Sequence, residues 1–135
     1  MTLRFERVTF LDEAMEDLRS VAERSHVVLV EVFRLLTALD AGELSPLPLH
    51  DYATTGDLTD CGRIVVALAG EPEHRIVVRH LGGGDVEVSE VIAVEDRTGD
   101  LPYLVDGLRL GRREDPIRRS DAQRRVDRIR RLRGG

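Results

Sequence analysis

The sequence has 135 residues, 41% apolar and 33% charged, with a formal net charge of −5, which suits one domain with one core and excludes a compositionally disordered chain. Its single cysteine, Cys61, excludes an internal disulfide framework and a four-cysteine zinc site, and a cytoplasmic location is expected. The longest strictly apolar run, residues 64–69, is too short to span a bilayer, and the charged N-terminus has no signal-peptide core behind it, so no membrane role is expected.

Leu3 to Val8 alternate apolar and charged residues, the pattern of a half-buried strand. Thr9 followed three residues later by Asp12 resembles a capping box. Leu11, Ala14, Met15, Leu18, Val21 and Ala22 then recur on one helical face. Ser25 is expected to cap a second helix, with Val28, Val32, Leu35, Leu36 and Leu39 as its stripe and Gly42 as its stop. The β-branched Val27, Val28 and Val30 also suit a strand, but the length and the glycine favour helix. Residues 43–60 contain Pro46, Pro48 and Gly56 and read as a long connection. Strands at 63–68, 75–80 and 86–94, joined by turns at 70–73 and 82–85, predict an antiparallel meander. A short helix at about residues 101–110, with Asp100 as its N-cap, precedes the tail.

The charge is unevenly placed. Residues 1–60 carry five arginines and twelve acids, residues 61–107 four and nine, and residues 108–135 eleven and four. This is a basic tail on an acidic body. With Pro116 and few large apolar residues the tail reads as a surface appendage, with a short helix after Ser120 along Val126, Ile129 and Leu132.

Strand residues two apart share a face. Ile64, Val66, Leu68, Ile76, Val78, Val88, Ile92 and Val94 are therefore expected to meet the helices. The opposite face would carry Arg63, Val65, Arg75, Val77, Arg79, Val91 and Glu95, joined by Arg97 if the last strand runs on. Clustered guanidiniums suit phosphate, because arginine offers paired donors and stays charged. An ordinary solvated face, with Glu87 and Glu95 pairing these arginines, fits the same pattern.

The four histidines show no ligand spacing. His74 and His80 would lie about 20 Å apart on a straight strand, and His26 and His50 are unlinked, so no metal is expected. Gly82 to Gly84 lack the Lys-Ser/Thr of a phosphate loop and read as a hairpin turn. Cys61 reads as a small buried hydrophobe.

The order strand, helix pair, long connection, three-stranded meander and short helix is accompanied by specific phrases. They are Asp60-Cys-Gly-Arg-Ile64, His74-Arg-Ile-Val-Val78, and Val94-Glu-Asp-Arg97 followed by Tyr103, with Leu11-Asp-Glu-Ala-Met-Glu-Asp-Leu18 in the helical half. Together they resemble the RelE/ParE superfamily of bacterial toxins, particularly the RelE-type messenger-RNA endonucleases, over about residues 5–110. The resemblance implies an α+β fold: an N-terminal strand and helical hairpin packed on an antiparallel β-meander, then a short C-terminal helix and the basic tail. A toxin domain over 1–110 and an Arg-rich extension over 111–135 follow from it.

The activity implied is that of the toxin of a toxin–antitoxin pair. It would cut messenger RNA on the ribosome by attack of a ribose 2′-hydroxyl on the adjacent phosphate, with neither metal nor cofactor. Arg75 and Arg97 would stabilise the phosphorane charge, Tyr103 would stack on a base or move a proton, and Arg63 and Arg79 would bind RNA. The partners implied are a cognate antitoxin protein, the ribosome and messenger RNA.

One departure bears on the chemistry: the family's lysine on the first meander strand falls on Val65, and the chain contains no lysine. Arginine does not replace lysine as a base at neutral pH. Glu95 and Asp96 stand nearby as other carboxylate bases. Two further readings are a ParE-like inhibitor of DNA gyrase and a catalytically weak member that only binds a partner protein. The tail suits either a solvated or body-docked extension or a segment binding ribosomal RNA.

Overall fold

The computed structural model describes residues 5–82, 88–112 and 115–134. The apolar spacing of residues 12–39 yields two helices, α1 (Asp12–Arg24) and α2 (His26–Asp40), separated by one extended residue, Ser25. The Ser25 hydroxyl accepts the Val28 N–H at 3.2 Å, the cap expected of it. Its own N–H closes α1 on the Val21 carbonyl at 2.8 Å. The start of α1 differs from expectation. Leu11 occupies the cap position with no side-chain hydrogen bond, because Thr9 is held in strand β1 (Val8–Phe10). Helix α2 ends at Asp40, and Gly42 follows at φ 76°, as its place as a stop requires.

The connection after α2 is less irregular than expected. It forms three two-residue strands, β2 (Leu47–Pro48), β3 (Asp51–Tyr52) and β4 (Gly56–Asp57). The meander consists of β5 (Cys61–Val66), β6 (His74–Gly82) and β7 (Val88–Asp96), antiparallel throughout. The main sheet has the order β1-β7-β6-β5-β2, with β1 parallel to β7, while β3 and β4 pair separately. The turn expected at 82–85, together with Val86 and Glu87, lies largely outside the described residues.

Helices α1 and α2 cover one face of this sheet. Leu18, Val21, Val32 and Leu36 pack there against Ile64, Val66, Ile76, Val78, Val91 and Val94. The presence of Val91 in this core corrects the simple alternation. A register shift opposes Val77 to Ala93 but Val78 to Val91, so Ile92 is the extra residue of a bulge. Beyond it, odd-numbered residues of β7 face the helical hairpin, and Glu90 turns to the side of Arg79.

The other face is not open, again contrary to the sequence reading. It is covered by α3 (Leu101–Arg109) and α4 (Pro116–Gly134), which bury Leu101, Leu104, Val105, Ala122 and Val126 against Cys61, Val77 and Ala93. The tail is therefore packed structure. Pro116 opens α4, where its missing N–H costs nothing. Ala122, Val126 and Ile129 form the inner stripe, and Leu132 stays 77% exposed. Burying Val126 alone contributes roughly 1.5–3 kcal/mol relative to leaving it in water.

Two close approaches seat these helices. A Cβ on Gly107 of α3 would lie 2.4 Å from the Thr55 carbonyl oxygen, and one on Gly99 would lie 2.9 Å from Ile129 Cδ1. Asp100 occupies the N-cap position expected of it, but at φ 61° and with no side-chain capping hydrogen bond, after a 3-10 turn at Thr98–Asp100.

Candidate functional site

Arg75 is the second residue of β6, and its parity directs it to the face shared with α3 and α4. It is only 8% exposed. Its Nη1 donates to the His74 carbonyl at 3.1 Å and lies 3.1 Å from Glu73 Oε1. Its Nε is buried without an acceptor among the described residues. Such a donor carries an unmet desolvation cost.

Arg97 follows the last residue of β7. Its N–H donates to the Glu73 carbonyl at 2.9 Å, one rung beyond the His74–Asp96 pair, so the ladder itself brings Arg97 alongside the turn. Its side chain is 64% exposed, with Nη1 3.5 Å from Glu73 Oε2. The two arginines thus converge on the two oxygens of one carboxylate. A pocket of about 450 Å³ opens there, lined by Pro72, Glu73, Asp96, Arg97, Thr98, Gly99 and Asp100.

The neighbouring acids serve another purpose. Glu95 stands opposite Arg75 in the ladder, yet its buried carboxylate accepts from Arg130 at 2.6 Å and Arg133 at 2.7 Å. Asp96 accepts from Arg133 at 2.7 Å and from the Thr98 N–H at 3.0 Å. Burial alone would raise the Asp96 carboxyl, but these hydrogen bonds hold it below the ordinary range. The expected pairing of Glu95 with the sheet arginines is therefore replaced by a clamp on α4. Neither acid stands free as a base.

The other site candidates lie outside the contact with Glu73. Arg63 sits opposite Val77 and makes no ion pair among the described residues. Arg79 is paired with Glu90 at 2.6 Å and lies four residues along the strand from Arg75, about 13 Å at strand rise. Tyr103 is half-buried on α3, packed against the second core. Val65 occupies the rung beside Arg75 and is 38% exposed, so an isopropyl group faces solvent where the resemblance expects a lysine.

Sequence reasoning overlooked Glu73, which it placed in a turn. Glu73 and Arg75 are two residues apart, and that parity was the available signal.

A second buried polar group lies on the same side of the sheet. Asp106 of α3 is fully buried, receives the Cys61 thiol at 3.7 Å, and has one oxygen without a partner. Burial pushes its carboxyl up to about 7. Burial, with Asp106 and Asp60 nearby, also pushes the Cys61 thiol up, so this cysteine is no ready nucleophile. Among the described residues, no group of three or more His, Cys, Asp or Glu is placed to hold a metal ion. No described helix is long and apolar enough to cross a membrane.

No protein-family model and no curated protein matches the chain. Two solved structures are similar. A YoeB/ParE toxin from Agrobacterium tumefaciens superposes with a TM-score of 0.51 at 18% identity, over 67% of this chain and 98% of that one. E. coli toxin RelE, as a double arginine-to-alanine mutant in the free state, gives a TM-score of 0.46 at 18% identity, over 74% of this chain and 92% of its own. The first likeness establishes the fold. It is the expected α+β arrangement of RelE/ParE-like toxins, and almost the whole length of that toxin is matched within this chain.

Proposed function

We propose that the protein is the toxin of a toxin–antitoxin pair and that it cuts messenger RNA on the ribosome. The observation that carries this reading is the convergence of Arg75 and Arg97 beside one pocket, on a fold shared with a YoeB/ParE toxin. A ribose 2′-oxygen attacks the adjacent phosphorus, the bond to the 5′-oxygen breaks, and a 2′,3′-cyclic phosphate and a 5′-hydroxyl result. Arg75 and Arg97 donate to the non-bridging oxygens as charge builds in the phosphorane. Each such donor is worth roughly 10²–10³ in rate. Arg63 and Arg79 hold flanking phosphates.

The proton inventory is thin. The 2′-hydroxyl must lose a proton and the leaving oxygen must gain one, and neither arginine does this at neutral pH. Tyr103 is the O–H offered for the leaving oxygen, but α3 packs it against the second core, outside the Glu73 contact, and Val65 supplies nothing. Missing acid–base help costs roughly 10²–10⁴ in rate, so slow cleavage is expected. Val65 also favours a second reading, a member that binds its partner protein and cleaves weakly.

On either reading the partner is an antitoxin, and the protein works in the cytoplasm. Residues 1–110 act as the toxin domain, with 111–135 as an extension that docks back through α4. The test is the chemistry of the cut. Messenger isolated from programmed ribosomes treated with the protein should carry new 2′,3′-cyclic-phosphate and 5′-hydroxyl ends within codons. Cuts in naked RNA at the same rate, or ends carrying a 3′-hydroxyl and a 5′-phosphate, would contradict the reading.

A further inference from the structure

We infer that Glu73 is an internal occupant of the phosphate seat: its carboxylate holds the place between Arg75 and Arg97 that an RNA phosphodiester takes on binding. The inference rests on the assignment of these two arginines to phosphate. Glu73 places one oxygen 3.1 Å from Arg75 Nη1 and the other 3.5 Å from Arg97 Nη1, the way two non-bridging phosphate oxygens would be shared. Carboxylate and phosphodiester each carry one negative charge, so only one of them suits the space between the two cations.

Three features fit an occupant better than a permanent strut. The Glu73 backbone is fixed, because its carbonyl accepts the Arg97 N–H at 2.9 Å, but its side chain is 38% exposed beside an open pocket of about 450 Å³ and has room to swing away. The Arg75 side chain is 91% buried, yet its Nε has no acceptor among the described residues, so Glu73 does not satisfy this guanidinium. A phosphate offers more acceptor oxygens than a carboxylate. Finally, Arg130 and Arg133 engage Glu95 and Asp96, so these two acids beside the seat are neutralised, whereas Glu73 is within ion-pair distance of both candidate phosphate ligands.

The consequence is opposite in sign to that of a positioning residue. Removing the charge of an occupant strengthens phosphate binding, whereas removing a strut weakens it.

The experiment uses the full chain and a short 2′-O-methyl RNA, which keeps every phosphodiester and lacks the attacking hydroxyl. Fluorescence anisotropy at fixed salt gives the Kd. Glu73→Gln should tighten binding roughly 5–10-fold, the scale expected for removing one competing charge beside an anion site. That gain should vanish in Glu73→Gln/Arg97→Ala. Glu43→Gln, an exposed carboxylate in the connection after α2, should change Kd less than twofold. Unchanged or weaker binding in Glu73→Gln overturns the proposal. So does a gain that survives loss of Arg97, since that would be a general charge effect. Separately, an Arg97→Ala protein that binds like the parent would sink the phosphate-site assignment itself, whatever Glu73 does.

Discussion

The two faces of the sheet are built on different principles. Against α1 and α2 lies an apolar interior in which Val32, Leu36, Ile76, Val78 and Val91 are fully buried. Against α3 and α4 the buried set includes Arg75, Glu95 and Asp106 as well as apolar side chains. The first face is held mainly by area and shape; its buried charge is Asp17 of α1, whose carboxylate accepts from Arg109 at 2.6 and 2.9 Å and from the Val94 N–H at 2.9 Å. The second is held partly by charge, with unsatisfied atoms left at Arg75, Arg79 and Asp106. Unsatisfied buried polar groups are costly and so tend to mark places kept for something other than stability. The candidate site lies at the edge of the second face.

Substitutions on the two faces should separate these principles, beginning with the apolar one. Leu36→Ala removes a fully buried side chain from the hairpin face. It should cost about 2–5 kcal/mol in urea unfolding and do so equally at pH 5 and pH 8.

Asp106→Asn should act in the other direction and depend on pH. The folded carboxyl, at about 7, holds its proton more tightly than the unfolded one at 3.8. Its penalty is therefore absent below the unfolded value and grows as pH rises towards about 7. Three units correspond to a ceiling of about 4 kcal/mol, and roughly 2–3 kcal/mol of stabilisation is expected at pH 8, fading by pH 4. An Asn variant less stable than the parent at pH 8 would show that Asp106 is stabilised by partners rather than penalised by burial.

Glu95→Gln weakens the clamp that Arg130 and Arg133 make on β7. A loss of about 1–3 kcal/mol is expected. Trypsin should then cut within α4 sooner than elsewhere, because the chain still has its hairpin core. The smallest effect should come from Arg124→Ala, whose side chain is 73% exposed and, among the described residues, pairs with Asp121 on the same helix. Its stability should shift by less than about 0.5 kcal/mol.

The same contrast explains what the sequence disclosed. Helical spacing at Val28, Val32, Leu36 and Leu39 and alternation at Ile64, Val66, Ile76 and Val78 are direct signals of a face that must be apolar, and the hairpin side was legible from them. Val91 was misplaced because a bulge inserts one residue and reverses parity beyond it, without any compositional mark. The α4 stripe was legible only in part. Val126 and Ile129 were seen, but Ala122 is too small to stand out, and eleven arginines in residues 108–135 read as solvated surface.

The partners of Glu95 and Asp96 come from a helix more than thirty residues away in sequence, a pairing that local charge pattern does not specify. At the site, the resemblance drew attention to Arg75 and Arg97, and these two do converge. Glu73, which joins them, was hidden in a turn. Arg63, Arg79 and Tyr103 stand apart from that contact.

The central claim is tested most directly by mapping messenger ends in a cell-free translation reaction supplied with the wild-type protein or with Arg97→Ala. The account predicts ribosome-dependent cuts within codons for the wild type and their loss, by 10²-fold or more, for a folded Arg97→Ala protein. Intact messenger at protein concentrations that stop translation, or equal cutting by both proteins, would contradict it.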